Sequence, residues 1–302
     1  MSPGDDLGTG AVTLPAGFSG GRGPRLFTGG GRRGTVISSV STIVVLTVLV
    51  AILALAPGAR TVEYAFLSPS HMWDALIGNP RQGYYSIGAA LWINIQMFLI
   101  AEVLILAVAL MIALIRQSAH PALFPIRILA TIYVDFFRGV PLLLVIYIIG
   151  FGVPGLYLPL VSYQSDMTYG IAALVLSYSA YVSEVFRAGL NSVHASQIAA
   201  ARSLGLTHGA ATRYVVLPQA VRNIIPPLLN DFISLQKDTA LVGTLGVIEA
   251  SKAADIYGQT IFNYSGYTVA AILFLILTIP LARFTDHLIE RDRRRRLAGG
   301  TR

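Results

Sequence analysis

The stretch GAALWINIQMFLIAEVLILAVALMIALI, residues 88–115, holds one ionisable side chain, Glu102. Crossing a bilayer by helix takes about 20 mostly apolar residues, and this run exceeds that. Working outward from it, residues 37–55 are uncharged and long enough to span. Ala54-Leu55-Ala56 resembles a signal cleavage site, but the long preceding tail and the length of the apolar run favour an uncleaved anchor. Residues 140–160, 169–186 and 268–288 read as further spans, the second carrying Glu184 and the third Pro280. A weaker sixth, 227–248, is interrupted by Asp231, Lys237 and Asp238. The whole chain agrees: 54% of its 302 residues are hydrophobic and 12% charged, against about 25% charged in soluble domains. Its mean hydropathy is +0.66. Cysteine is absent, which excludes a disulfide framework and thiolate metal sites.

Basic residues orient the spans. With the N-terminus inside and six crossings, the cytoplasmic segments are the tail 1–35, 116–139, 187–226 and 291–302. Together with Arg283 they hold 18 of the 22 basic residues, as the positive-inside rule requires. Five spans would place the basic C-terminus outside. The tail 1–35 is rich in Gly, Pro, Ser and Thr without helical or strand spacing, so it reads as disordered. Its four arginines serve as a positive flank rather than a nucleic-acid site. Arg293-Arg294-Arg295-Arg296 suits a topology anchor, with anionic-lipid recognition as the alternative.

Between the fourth and fifth spans the segment 188–226 is too polar to cross. Residues 197–204 read as a short Ala-rich helix that Gly205 can stop in a left-handed conformation. Thr207 can cap a second helix over 209–217, and Pro218 is expected to end it. Small residues on a protruding helix let a partner's backbone approach, with Arg202 and Arg213 supplying a charged rim.

At this point the resemblance becomes specific. Ser196-Gln197-Ile198-Ala199-Ala200-Ala201-Arg202-Ser203-Leu204-Gly205, followed by Leu217-Pro218-Gln219-Ala220, resembles the EAA loop of ABC-importer permeases. That motif is EAA, three residues, Gly, then Leu-Pro, and Ala199 stands where its Glu usually lies. Phe136-Phe137-Arg138-Gly139-Val140-Pro141-Leu142-Leu143 is similar to the FRG-x-P-LL signature of polar amino-acid permeases. Ala180-Tyr181 through Gly189 is similar to AY-x-x-E-x-FR-x-G, and Asn230 through Leu241 to N-x-x-I-x-L-x-KDTSL, with Ala240 for Ser. The chain thus resembles the histidine/glutamine/glutamate/arginine/opine uptake permeases from about residue 88 to 288.

The resemblance implies an all-α integral membrane protein of the type I ABC-importer permease fold, with about six transmembrane helices and a cytoplasmic coupling helix. It implies four segments: the tail 1–35, an extra helix and external loop over 36–87, the core over 88–288, and a basic tail over 289–302. Gln197, Ala199, Ala200, Ala201, Arg202, Gly205, Arg213, Leu217 and Pro218 become the expected contact with an ATPase. Implied partners are an ATP-binding cassette ATPase dimer, a second permease subunit, an extracytoplasmic substrate-binding protein and membrane lipid, but no nucleic acid. The implied location is the bacterial cytoplasmic (inner) membrane, with both termini in the cytoplasm.

The chain has no phosphate-binding G-x-x-x-x-G-K-[ST]: its two lysines, Lys237 and Lys252, follow no such pattern. It is therefore expected to bind no cofactor or metal, leaving ATP and Mg to the partner ATPase, and not to be an enzyme. Ionisable residues inside a membrane are functional candidates by default: Glu102, Glu184, Asp231, Lys237, Asp238 and Glu249. Structural pairing competes with a substrate-path role, since Glu184 precedes Arg187 by three residues and Lys237–Asp238 suits a kinked span end. An ion-coupled secondary transporter would need paired inverted repeats, and none is visible. A membrane enzyme would need a catalytic constellation that is missing.

Overall fold

A computed structural model describes residues 31–118 and 120–299, of which residues 31–35, 53, 292–293 and 295–299 are described by their backbone alone. Most of the Gly-rich tail, residues 1–30, lies outside the described residues. Among the described residues there is no strand, only an isolated bridge between Asn79 and Tyr84. Contacts divide the chain into two compact units, Met1–Arg60 and Thr61–Arg302.

The first unit holds α1, Gly31–Leu55. The helix starts inside the stretch expected to be unstructured and leaves Ile37, Val40, Ile43 and Ile52 all more than half exposed. A helix apolar on all sides and uncovered belongs in lipid.

The second unit is built from α2 (Ala59–Leu67), α3 (Pro69–Ile77), α4 (Ile87–Gln117), α5 (Phe124–Gly139), α6 (Leu142–Tyr147), α7 (Asp166–Asn191), α8 (Ala195–Ser203), α9 (His208–Ala211), α10 (Leu217–Asp238), α11 (Ala250–Ile261) and α12 (Ser265–Gly299). Ser86 caps α4 by accepting from the Ala89 N–H at 3.0 Å, and Ser165 caps α7 from the Thr168 N–H at 3.2 Å. Met97, Ala101, Ile105 and Ala109 are buried at four-residue spacing on α4. That stripe packs on Ala173, Leu174, Tyr178 and Val182 of α7. In lipid the driving force is close packing rather than water exclusion, which favours such small residues at the seam. At Gly189 of α7 the side chain of Ile224 occupies the space of any Cβ, 2.1 Å from where one would sit. The C-terminal ends of α4 and α7 meet, with Gln117 Nε2 donating to Asn191 Oδ1 at 3.1 Å. The two helices therefore run parallel. A second cluster joins α3, the start of α4, α11 and α12 around Ile87, Ala90, Ala253 and Tyr257.

Three described helices are long and apolar enough to cross a membrane: Ile87–Gln117, Asp166–Asn191 and Ser265–Arg291. The span expected over 140–160 is the helical stretch Leu142–Leu156, which is too short to cross alone. Pro121–Gly139 and Leu142–Leu156 together form a bent pair, turned by 110°. The reason stands in the sequence: Gly139 ends α5, and Pro141 has no N–H to continue it. Counting the pair as one span gives four. The segment 116–139, expected as a loop, contains α5. In the weak span over 227–248, the helix stops at Asp238, a 3₁₀ turn follows over Thr239–Leu245, and Gly246 turns the chain at φ +102°.

Candidate functional site

Two regions carry the residues singled out in the sequence. The first is the connection between α7 and α10. His194 begins α8, its Nδ1 accepting from the Ser196 N–H at 3.3 Å. At the far end Gly205 sits at φ +88°. Its N–H bonds to Arg202 C=O at 3.0 Å, and the Leu206 N–H to Ala201 C=O at 3.3 Å, the paired closure of a Schellman turn. No neighbour lies within 4 Å of a Cβ at Gly205, so backbone conformation alone demands glycine. Thr207 Oγ1 accepts from the Ala210 N–H at 3.3 Å and starts α9.

The second helix does not end at Pro218. After α9 the chain widens into a π-helical turn over Thr212–Val216 and continues directly as α10. Proline lacks the N–H of an ordinary helical turn, and a π-type register immediately before it removes the demand for one. Gln197, Ala199, Ala200, Arg202, Gly205, Arg213, Leu217 and Pro218 are exposed, whereas Ala201 is buried. The outward face thus presents Ala199 and Ala200 between a glutamine and an arginine. Leu204 beside them is 85% exposed, a large apolar group left uncovered among the described residues.

The second region is a polar track between α7 and α10. One open cleft of about 500 Å³ is lined by Arg138, Tyr181, Glu184, Asn223 and Asp231 among others. A second of about 250 Å³ is lined by Ser177, Tyr178, Tyr181, Asp231, Ser234 and Asp238 among others. They share Tyr181 and Asp231. The bend after Gly139 contributes to their wall: Tyr181 Oη donates to Arg138 C=O at 3.1 Å, and the Arg138 guanidinium lies over the Tyr181 ring at 5.9 Å.

The candidate acids divide by partner. Glu184 is held by two arginines: Arg187 donates to Oε2 through Nε at 2.9 Å and Nη2 at 2.6 Å, and Arg116 reaches Oε1 from α4. Asp238 Oδ2 accepts from Tyr178 Oη at 2.6 Å. Lys237 is exposed, and α10 ends at Asp238, where a kinked span end was expected. Glu102 is half-buried on α4, within electrostatic reach of Asp231. Asp231 Oδ2 and Ser177 Oγ are buried without a hydrogen-bond partner among the described residues, and both line the smaller cleft. Buried polar atoms are seldom left orphaned. These two are therefore the groups in the track with unused capacity for a polar guest.

Glu249 is different again. It is fully buried and saturated: Asn94 Nδ2 donates to it at 3.0 Å, Ser251 N–H at 2.9 Å and Lys252 N–H at 2.7 Å. Asn94 also donates to Thr239 Oγ1 at 3.1 Å and accepts from the Ala250 N–H at 3.0 Å. The group ties α4, the end of α10 and the start of α11 together. Sequence reading flagged Glu249 and missed its joining to Asn94. The signal was present: an amide inside an apolar span has to find a partner.

Crossing helices, a broken helix pair and a polar track between helices define a multi-span membrane transport subunit. The chain belongs to the family described as binding-protein-dependent transport system inner membrane component, whose model matches residues 122–295. It is 39% identical over 220 residues to the Bacillus subtilis protein named "Probable amino-acid permease protein YxeN", covering 72% of this chain and 94% of that one. It is 34% identical over 216 residues to the glutamate transport system permease protein GluC of Corynebacterium glutamicum, covering 68% and 93%. A solved structure described as an amino acid ABC transporter with histidines matches with a TM-score of 0.63 and 32% identity, over 68% of this chain and 93% of that one. The fold is accordingly that of an ABC-transporter permease in the inner membrane.

Proposed function

We propose that this chain is the permease subunit of an ATP-driven importer of polar amino acids, powered through the 192–218 connection by separate ATPase subunits. The relatives that match over nearly their full length are named as amino-acid and glutamate permeases, which supports the substrate class. The observation that carries the coupling role is the exposed face of α8 and Gly205. It is a helix braced by a saturated turn, with alanines and Leu204 outward and no covering element among the described residues. ATP binding would close two ATPase subunits and shift this piece as a rigid body against the bundle.

In this reading both termini are cytoplasmic, six crossings are made, residues 36–87 add a helix and external loop, and 88–288 form the core. A second permease subunit and an external binding protein complete the importer, with ATP and Mg held by the ATPase. Glu184 and Asp238 hold the track in shape, while Asp231 with Ser177 meets the substrate, the carboxylate facing its ammonium group. The decisive experiment is uptake into proteoliposomes containing the full complex. Uptake that requires ATP and the binding protein supports the reading. Uptake that continues without ATP but collapses with the ion gradient contradicts it and indicates an ion-coupled carrier.

A further inference from the structure

A different cleft, of about 340 Å³, opens beside the C-terminal ends of α4 and α7 and is lined by Arg116, Arg127, Ile128, Thr131, Ile132 and Arg187. It contains three guanidinium groups and no carboxylate among those lining residues. Glu184 bridges Arg116 and Arg187 and lines the substrate-side cleft instead. Arg127 spends one N–H on Ser118 C=O, at 2.9 Å. A guanidinium has five N–H donors, so most of the donors around this cleft have no side-chain or backbone acceptor among the described residues. Three guanidinium groups lining one cleft with no carboxylate among them is a poor arrangement for a helix junction unless an anion completes it.

The second observation is the apolar flank. Ile128 and Ile132 lie one helical turn apart on α5 and line the same cleft. They are 44% and 59% exposed, and Leu129 beside them is 65% exposed. Position supplies the third. Arg116 stands in the last turn of α4 and Arg187 about one turn before the end of α7, two parallel helices long enough to cross the membrane. Such helix ends lie at the interface between hydrocarbon and headgroups, whichever side of the membrane they face. Cationic groups at headgroup depth with exposed isoleucines beside them match a molecule that is anionic at one end and aliphatic at the other.

We infer that this cleft binds the phosphodiester headgroup of an anionic glycerophospholipid, with acyl chains lying along Ile128 and Ile132. Arginine suits the task because its planar fork meets two phosphate oxygens at once. Basic pockets between spanning helices are a known setting for such headgroups. The lipid completes the charge of the Arg116–Glu184–Arg187 network and so braces the junction from which the α7–α10 connection departs.

The test is native mass spectrometry of the complete complex in mild detergent, titrated with phosphatidylglycerol and with phosphatidylcholine of identical acyl chains. The expected result is one phosphatidylglycerol retained per permease chain, preferred over phosphatidylcholine by about fivefold or more. Arg127→Gln leaves the Glu184 pairs intact and should lower that preference by about fivefold. If that variant is not recovered, Arg127→Lys, which keeps charge but loses the fork, should give an intermediate preference. Equal retention of the two lipids, or a preference that Arg127→Gln or Arg127→Lys leaves unchanged, overturns the inference. Inorganic phosphate distinguishes the other source of the same chemistry: if it binds the cleft and phosphatidylglycerol fails to displace it, the site takes a free anion and the lipid assignment falls. A cysteine at Ile132 that crosslinks two permease copies would show the face to be a protein interface and overturn it too.

Discussion

The junction around Glu249 and the connection around Gly205 are both rich in polar groups, and they are finished in opposite ways. At the junction, Asn94, Thr239 and Glu249 are at most 1% exposed and consume one another's hydrogen bonds. At the connection, backbone bonds are closed by the turn at Gly205, while most side chains point away from the chain. The first is complete within one chain. The second is locally rigid but has an uncovered face. Under the proposed importer reading, this division is expected: a stiff lever needs a fixed anchor, and its working face belongs to the interface.

The comparison breaks most sharply at its buried end. Glu249→Ala removes two N-cap acceptors of α11 and one of the two acceptors of Asn94 Nδ2, so it should cost about 3 kcal/mol or more of stability, read as a lower thermal midpoint in detergent and poor yield. A variant of wild-type stability would mean that the junction is not the anchor. Next is Glu184→Gln, which leaves Arg116 and Arg187 facing each other without their carboxylate. A loss of about 2 kcal/mol is expected, again visible in the midpoint.

At the working end the sign of the comparison reverses. Gly205→Leu forces a left-handed residue at a cost of about 1–2 kcal/mol, so the chain should still be recovered folded. Its ATPase-coupled uptake should nonetheless fall far more than that cost explains. Normal uptake and normal ATPase co-purification would remove the connection from the mechanism. Asp231→Asn sharpens the distinction further. Because Oδ2 has no partner among the described residues, stability should change by less than about 0.5 kcal/mol, while uptake falls. A large stability loss with unaltered uptake would assign Asp231 a structural role.

Much of this was legible in the sequence, for identifiable reasons. Long apolar runs announce α4, α7 and α12 because a bilayer leaves helix as the open choice. Gly205 and Thr207 announced a helix stop and start because each acts on its own backbone within four residues. Pro218 misled for a local reason as well: proline bars an ordinary helical turn, but the π-type turn before it cannot be read from composition. The bend at Pro141 was written in Gly139-Val140-Pro141, yet hydrophobicity averaged over 140–160 concealed it. Least legible were pairings across the bundle. Arg116 with Glu184, Tyr178 with Asp238, and Asn94 with Glu249 are 68, 60 and 155 residues apart, and no local pattern joins them. Local pairing logic found Arg187 for Glu184 but not Tyr178 for Asp238.

The central claim is that the outward face of α8 receives a partner's ATP-driven motion. The chain has no cysteine, so Ala200→Cys introduces a unique thiol at an exposed position on that face. In the assembled complex this thiol should be shielded from a maleimide reagent and should crosslink to the ATPase subunit, with a yield that changes when ATP is added. Labelling as fast in the complex as in the isolated chain, with no crosslink in either nucleotide state, would contradict the account.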